Sequence, residues 1–262
     1  MQLKNKIIWL TGASSGIGEA LAYALAKEGA KLVLSARRED ELKRVAANLS
    51  TEVLILPLDL ANTADFEACH AAVLQKFGRV DILVNNGGIS QRSLAKDTTV
   101  AVDRQLFEVN FFGTIALTKL LLPGFIKQRQ GMIVTITSAV GKFGSPWRSG
   151  YAASKHALHG FFDSLRAEVY NDNVQVLLVC PGFIQTNVSK NALTGTGQKL
   201  GSMDAATASG LTADECARQI ITAIKNDREE IIVSKFKEKF GVFVKRLFPS
   251  LFSIMIRKMA VR

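Results

Sequence analysis

The sequence predicts an α/β protein with a doubly wound parallel sheet, and three observations carry that prediction. Short apolar runs alternate with segments of helical period along the whole chain. The runs are rich in Val, Ile and Leu on both faces, as strands covered by helices on both sides must be. The connections are short, and alternating β and α elements joined this way form right-handed crossovers within one sheet. Ligands of such sheets sit at the carboxyl ends of the strands.

In chain order, strands are expected at residues 7–10, 31–35, 52–57, 82–84, 132–138, 174–179 and 230–233, with clear helical runs at 17–28 and 154–170. A chain of 262 residues suits one α/β domain or two small ones. Its 48% apolar and 21% charged residues exclude disorder, and 20 Gly with 5 Pro exclude collagen-like and low-complexity classes. Cys69, Cys180 and Cys216 are too few and too scattered for a disulfide framework or a CxxC site, so reduced thiols in a cytoplasmic compartment are expected. The first residues show no signal-peptide pattern, and no run reaches the roughly 18 uninterrupted apolar residues of a spanning helix.

Directly after the first expected strand comes Thr11-Gly12-Ala13-Ser14-Ser15-Gly16-Ile17-Gly18, followed by a helical run. Glycines here permit a tight turn and close approach of a pyrophosphate, and the helix start directs free N–H groups at that anion. Such a string is a weak signal alone and a strong one between a strand and a helix. The second strand ends Ser35-Ala36-Arg37-Arg38, where an NAD-selective fold usually places an acid for the ribose 2′-OH. Two guanidinium groups match a 2′-phosphate instead, so NADP(H) is the expected cofactor. Asp59-Leu60 ends the third strand, where Asp59 either accepts from the adenine or caps a turn. Asn85-Asn86-Gly87-Gly88 ends the fourth, with amides that hold neighbouring backbone or line the cleft, and glycines that leave room for a ribose.

Tyr151 and Lys155 lie four apart, one turn above the other on a helix. An ammonium beside a phenol favours the phenolate, which lets the pair exchange a proton near neutral pH. Tyr151 then acts as general acid on a ketone or as base in reverse. Ser138, at the end of the fifth strand, can donate to the carbonyl oxygen. Three dispersed histidines without an HExxH motif argue against a metal centre, so none is expected.

The ordered set TGxxxGxG at 11–18, Asn85-Asn86-Gly87-Gly88, Asn110, Ser138, Tyr151-x-x-x-Lys155 and Pro181-Gly182 resembles the short-chain dehydrogenase/reductase family over residues 3–235. Gly87 departs from the pattern, which more often has Ala there. The resemblance implies a single Rossmann-like domain over residues 1–235. It implies that Asn110 anchors a water relaying protons towards Lys155, and that Lys155 binds the nicotinamide ribose. It also implies that backbone near Ile184 binds the carboxamide, with Thr186 helping to hold it and the diphosphate. Family members commonly form dimers and tetramers, so a homodimer or homotetramer is expected.

Residues 187–210 turn small and polar, which reads as a lid over the substrate cleft that orders on ligand binding. Phe143, Trp147 and Phe183 flank the catalytic positions and suggest an apolar pocket, unless they are ordinary core residues. The expected activity is carbonyl–alcohol interconversion on a hydrophobic small molecule. The alternatives are a 3-oxoacyl-thioester reductase and a non-enzymatic NADP(H)-binding sensor.

The net charge of +10 is unevenly spread. From Lys235 to Arg262, eight basic residues (Lys258 and Arg262 among them) face one acid, Glu238, a local surplus of +7. Phe236, Phe240, Phe243, Phe248 and Phe252 fall in the same stretch with Met259, and Pro249 interrupts it. Phe240, Phe243, Val244 and Leu247 share one helical face. Residues 236–262 thus read as a basic aromatic extension for an anionic membrane surface or for subunit packing. Nucleic acid is not expected, because the extension carries no recognised binding motif.

Overall fold

In the first strand, β1 (Ile7–Thr11), Ile8 and Leu10 join one buried apolar layer while Ile7 and Trp9 join another. That alternation is the local signature of a sheet covered on both faces. The computed structural model describes residues 1–257; Lys258, Met259 and Arg262 of the basic tail lie outside them. After β1 come α1 (Gly16–Lys27), β2 (Lys31–Ala36), α2 (Glu39–Ala46), β3 (Val53–Pro57), α3 (Phe66–Phe77) and β4 (Ile82–Asn85). The second half holds α4 (Val100–Phe107), α5 (Gly113–Gln128), β5 (Gly131–Ile136), α6 (Ser149–Glu168) and β6 (Val174–Pro181). It continues with α7 (Ala205–Ala208), α8 (Ala213–Lys225), β7 (Glu230–Val233), α9 (Phe236–Leu247) and α10 (Pro249–Ile256).

The seven strands form one parallel sheet in the order β3-β2-β1-β4-β5-β6-β7. Strand order reverses between β1 and β4, which opens a crevice at their carboxyl ends. Leu21 and Leu25 of α1, Leu42 and Val45 of α2, and Ile220 and Ile224 of α8 bury one face. Phe66 and Val73 of α3, Leu117, Leu121 and Phe125 of α5, and Leu158, Phe162 and Leu165 of α6 bury the other. Each of these fully buried Leu or Phe side chains contributes roughly 1.5–3 kcal/mol through removal from water.

Every strand expected from the sequence is present, with one shift that matters for chemistry. β5 ends at Ile136, and Thr137-Ser138 turn out of the sheet into a short 3-10 turn, Ala139–Gly141. Ser138 Oγ accepts the Val140 N–H at 3.3 Å, so the serine caps the turn rather than extending the strand. A second difference concerns residues 100–128. α4 and α5 are joined through a π-turn, Glu108–Phe112. The resulting segment, Val100–Gln128, is long and apolar enough by composition to cross a membrane. In this fold Leu106, Leu117, Leu121 and Phe125 point into packed cores, so the hydropathy is that of a core helix.

The tail breaks at Phe248, and Pro249 starts α10, where a missing N–H costs nothing. Val244 and Phe252 bury against Phe143, with the two phenyl rings 5.1 Å apart. The rest of the shared face is not buried: Phe240, Phe243 and Leu247 stay exposed, as do Phe236, Leu251 and Ile254.

Candidate active site

A cleft of about 750 Å³ runs along the carboxyl ends of β1, β4, β5 and β6. Ser14, Ser15 and Ile17 line it beside two glycines in the left-handed region, Gly12 (φ +65°) and Gly16 (φ +61°). A side chain at Gly12 would come within 2.8 Å of Asn86 Nδ2, and one at Gly16 within 3.0 Å of Thr186 Cγ2. Gly18 does not line the cleft; a Cβ there would run into the Gly12 carbonyl, so it lets α1 pack against the turn. The loop therefore brings bare backbone to the start of a helix, the arrangement a pyrophosphate needs.

The two strands at the reversal are clamped by one side chain. Thr11 Oγ1 donates to the Val84 carbonyl at 3.3 Å and accepts the N–H groups of Asn86 and Gly87, each at 3.0 Å. Asn86 Nδ2 returns to the carbonyls of Thr11 (3.0 Å) and Gly12 (3.2 Å), while Asn85 Nδ2 is buried on Thr118 Oγ1 at 2.9 Å. Both asparagines thus hold the edge together, and Asn86 also lines the cleft with Gly87 and Gly88. An alanine at Gly87 would place its Cβ 2.6 Å from Leu60 Cδ1, the tip of a side chain that can turn away. Asp59 Oδ1 accepts the Ala61 N–H at 3.0 Å, a turn cap, and Asp59 and Leu60 both face the cleft. Arg37 and Arg38 line the same end and are exposed; Arg38 stands 3.8 Å from Glu41.

At the other end, α6 presents one continuous stripe. Leu158, Phe162 and Leu165 bury its later turns in the core, and the same stripe continues backwards to Lys155 and Tyr151 at the cleft. Packing the helix therefore aims the pair. Lys155 Nζ donates to the Ile136 carbonyl at 2.9 Å and sits 5.9 Å from the centre of the Tyr151 ring. Burial pushes the Lys155 ammonium down to about 8. Ser138 lines the cleft beside them and donates to the Pro181 carbonyl at 3.4 Å. Pro181, Gly182, Ile184 and Thr186 line the wall that follows β6.

Asn110 does not line the cleft; it lies in the π-turn, beside Gly88 and the loop after β4. Its Oδ1 accepts the Ile89 N–H at 2.8 Å, and its Nδ2 donates to the Ile89 carbonyl (2.9 Å) and Ser154 Oγ (3.0 Å). The side-chain amide is therefore spent on positioning the loop after β4 against α6.

Residues 6–197 match the family model for short chain dehydrogenases. A dehydrogenase/reductase SDR family protein 7-like from Anopheles gambiae is 45% identical over 266 residues, covering 98% of this chain and 84% of that relative. Human dehydrogenase/reductase SDR family member 7 is 47% identical over 242 residues, covering 89% of this chain and 71% of its own length.

The chain is a short-chain dehydrogenase/reductase.

Among solved structures, a short-chain dehydrogenase/reductase from Burkholderia phymatum in complex with NAD superposes with a TM-score of 0.86 at 26% identity, with 96% of each chain covered. An alcohol dehydrogenase from Thermococcus sibiricus, complexed with 5-hydroxy-NADP, gives 0.76 at 28% identity, covering 89% of this chain and 97% of its own. The family assignment makes this protein an oxidoreductase of alcohols and carbonyls with a nicotinamide nucleotide fold.

Several parts of this reductase were not visible in its sequence. Gln91 Oε1 accepts the N–H groups of Gly150 (3.0 Å) and Tyr151 (3.2 Å), two orphan donors at the start of α6. Arg44 grips Glu19 through Nη1 (2.7 Å) and Nη2 (3.0 Å) and pins α2 to α1 beside the glycine loop. The segment 187–210 is tied to the loop after β4: Leu193 N–H donates to Ser90, Arg92 N–H to Leu193 and Thr99 N–H to Gly195. Of the three aromatics read as a pocket, only Phe183 lines the cleft; Phe143 is buried under the tail, and Trp147, at φ +69°, does not line it either. His159 is brought to 3.9 Å from Glu230 and 3.7 Å from Cys180, neither of them near it in sequence. Lys142 already donates to that carboxylate at 2.5 Å, and burial with the Lys142 charge holds the imidazole down to about 4.

Proposed function

We propose that this reductase interconverts a carbonyl and an alcohol on a hydrophobic small molecule, using NADP(H) and Tyr151 as general acid/base. The convergence of Tyr151, Lys155 and Ser138 on one end of a nucleotide-sized cleft carries the reading. Gly12, Ser14, Ser15, Gly16 and Ile17 would hold the diphosphate, Asp59, Leu60, Gly87 and Gly88 the adenosine, and Arg37 with Arg38 the 2′-phosphate. Ile184 and Thr186 would hold the carboxamide. The bound cofactor supplies the hydride.

In the reductive direction, Ser138 Oγ and the Tyr151 hydroxyl receive the carbonyl oxygen as donors and stabilise its growing charge. Tyr151 then gives that oxygen its proton, and the Lys155 ammonium offsets the phenolate left behind. Asn110 keeps Ile89 and Ser154 in register around the pair. Asn110 would also anchor the water that relays protons towards Lys155.

The extension 236–262 supports peripheral membrane contact as its second role. Among the described residues of the tail, Val244 and Phe252 are buried and Val242 and Ile256 pack partly against the same cluster, which leaves exposed Phe and Leu residues among Lys237, Lys239, Lys245 and Arg246. An apolar face ringed by lysine and arginine suits an anionic leaflet.

The cofactor reading is tested by steady-state turnover of a ketone panel with NADPH and with NADH. At least a tenfold higher kcat/KM with NADPH is expected, falling towards parity in the Arg37→Ala/Arg38→Ala variant. Equal use of both by the unmodified protein would contradict the 2′-phosphate clamp.

A further inference from the structure

Arg148 is 6% exposed, the N-cap of α6, three residues before Tyr151. Its guanidinium lies over the Phe183 ring at 5.0 Å and lines the cleft at the substrate end. Nε and Nη2 are buried without a hydrogen-bond partner. A guanidinium in that state is costly, because buried charge needs both a counter-charge and acceptors.

The acid beside it is already taken. Asp204 Oδ2 accepts from Arg92 Nε (3.2 Å) and Nη2 (3.0 Å), and Oδ1 accepts the Thr207 N–H at 2.7 Å. Arg148 Nη2 stands off at 3.9 Å. Two buried guanidinium groups therefore share one carboxylate, and one positive charge is uncompensated. Lys190 and Lys199 line the same region from the segment 187–210, and the one acid lining the cleft among the described residues is Asp59, at the adenosine end. Burial and repulsion from Arg92 hold Arg148 down to about 10, still charged at neutral pH.

We propose that Arg148, with Arg92 beside it, receives an oxyanion carried by the substrate itself, a carboxylate or a phosphate monoester on the same molecule as the reacting carbonyl. The inference rests on the carbonyl-reductase reading and narrows it: the substrate is an amphiphile, with its apolar part on Phe183, Val109 and Leu193 and its charge on Arg148, because the Arg92 donors are already spent on Asp204, Ser90 and Gln91. Charge-assisted hydrogen bonds from a guanidinium are the strongest available to such a group. Arg148 is thus a specificity residue, and Asp204 neutralises Arg92 and leaves Arg148 without a close counter-charge.

Two matched pairs test this with NADPH: 4-benzoylbutyrate against its methyl ester, and hydroxyacetone phosphate against hydroxyacetone. In at least one pair the anion should show a tenfold or greater advantage in kcat/KM, and which pair shows it distinguishes carboxylate from phosphate. Arg148→Met should erase that advantage through KM, leave the neutral member within twofold and keep NADPH affinity; Arg148→Lys should restore part of it. No preference for the anion in either pair, or equal losses for both members in Arg148→Met, would overturn the inference alone. Failure of all four compounds would overturn the reductase reading and this inference together. Should Arg148→Met not fold, the readout is inhibition of the unmodified protein by 4-phenylbutyrate and phenyl phosphate against 4-phenylbutyramide and phenol. Stronger inhibition by an anion over its neutral partner supports the site, and equal inhibition overturns it.

Discussion

The Gln91 side chain accepts the backbone N–H of Tyr151 at 3.2 Å, across 60 residues of sequence. With the Gly150 N–H on the same oxygen, it fixes the first turn of the helix that carries Tyr151 and Lys155. Gln91 Nε2 is itself held by Ser93 Oγ (3.1 Å) and Thr98 Oγ1 (2.9 Å), so the acceptor cannot rotate away. Gln91→Met leaves two helix-start donors without their partner, at a cost of about 1–3 kcal/mol. The expected outcome is a kcat about tenfold lower with NADPH affinity within twofold of the unmodified protein. Steady-state kinetics with fluorescence titration of NADPH checks it; an unchanged kcat would reduce Gln91 to a packing residue.

Lys155 gives the site its pH dependence. Burial disfavours its ammonium and lowers it to about 8, whereas an anionic cofactor favours the charged form. Above that value the proton is lost and the attraction with it. Affinity for NADPH should therefore fall as pH rises from 7 to 9, by up to roughly tenfold per unit. Lys155→Met should bind more weakly at pH 7 and show no step in this range. Calorimetric titration across the range gives the comparison, and identical pH profiles for the two proteins would contradict the assignment.

Much of this was legible in the sequence for physical reasons. Strands covered on both sides are written as apolar runs, so all seven could be placed from the positions of those runs. Gly12 and Gly16 could be read because left-handed backbone excludes most side chains. What stayed hidden is what the sheet order brings together. Gln91 meets Tyr151 because the loop after β4 reaches the start of α6, and Arg92 meets Asp204 because segment 187–210 folds back onto that loop. Asn110 was legible as a position, but its amide bonds to Ile89 follow from a π-turn that no local pattern announces. Phe143 misled, since an aromatic near a catalytic residue in sequence is no evidence of which way it points.

The tail prediction uses point substitutions, because removing residues 236–262 would also strip Val244 and Phe252 from Phe143. Phe243→Glu, Leu247→Glu and Leu251→Glu together change only exposed positions. Each Lys or Arg near an anionic leaflet contributes about 1 kcal/mol, so the unmodified protein should sediment with phosphatidylserine-containing vesicles and be released by salt. The triple variant should bind at least tenfold more weakly with its turnover retained. Equal sedimentation of both proteins would remove the membrane from the account.

The central claim is that the Tyr151 hydroxyl moves the proton, and Tyr151→Phe tests it most directly. The substitution removes one oxygen and keeps the ring that packs beside Leu106, Val140 and Ala152. The measurement is NADPH-linked turnover of the best ketone alongside NADPH affinity. A kcat at least a hundredfold lower with affinity within twofold is expected, in line with the scale of general acid catalysis. Turnover within tenfold of the unmodified protein would contradict it.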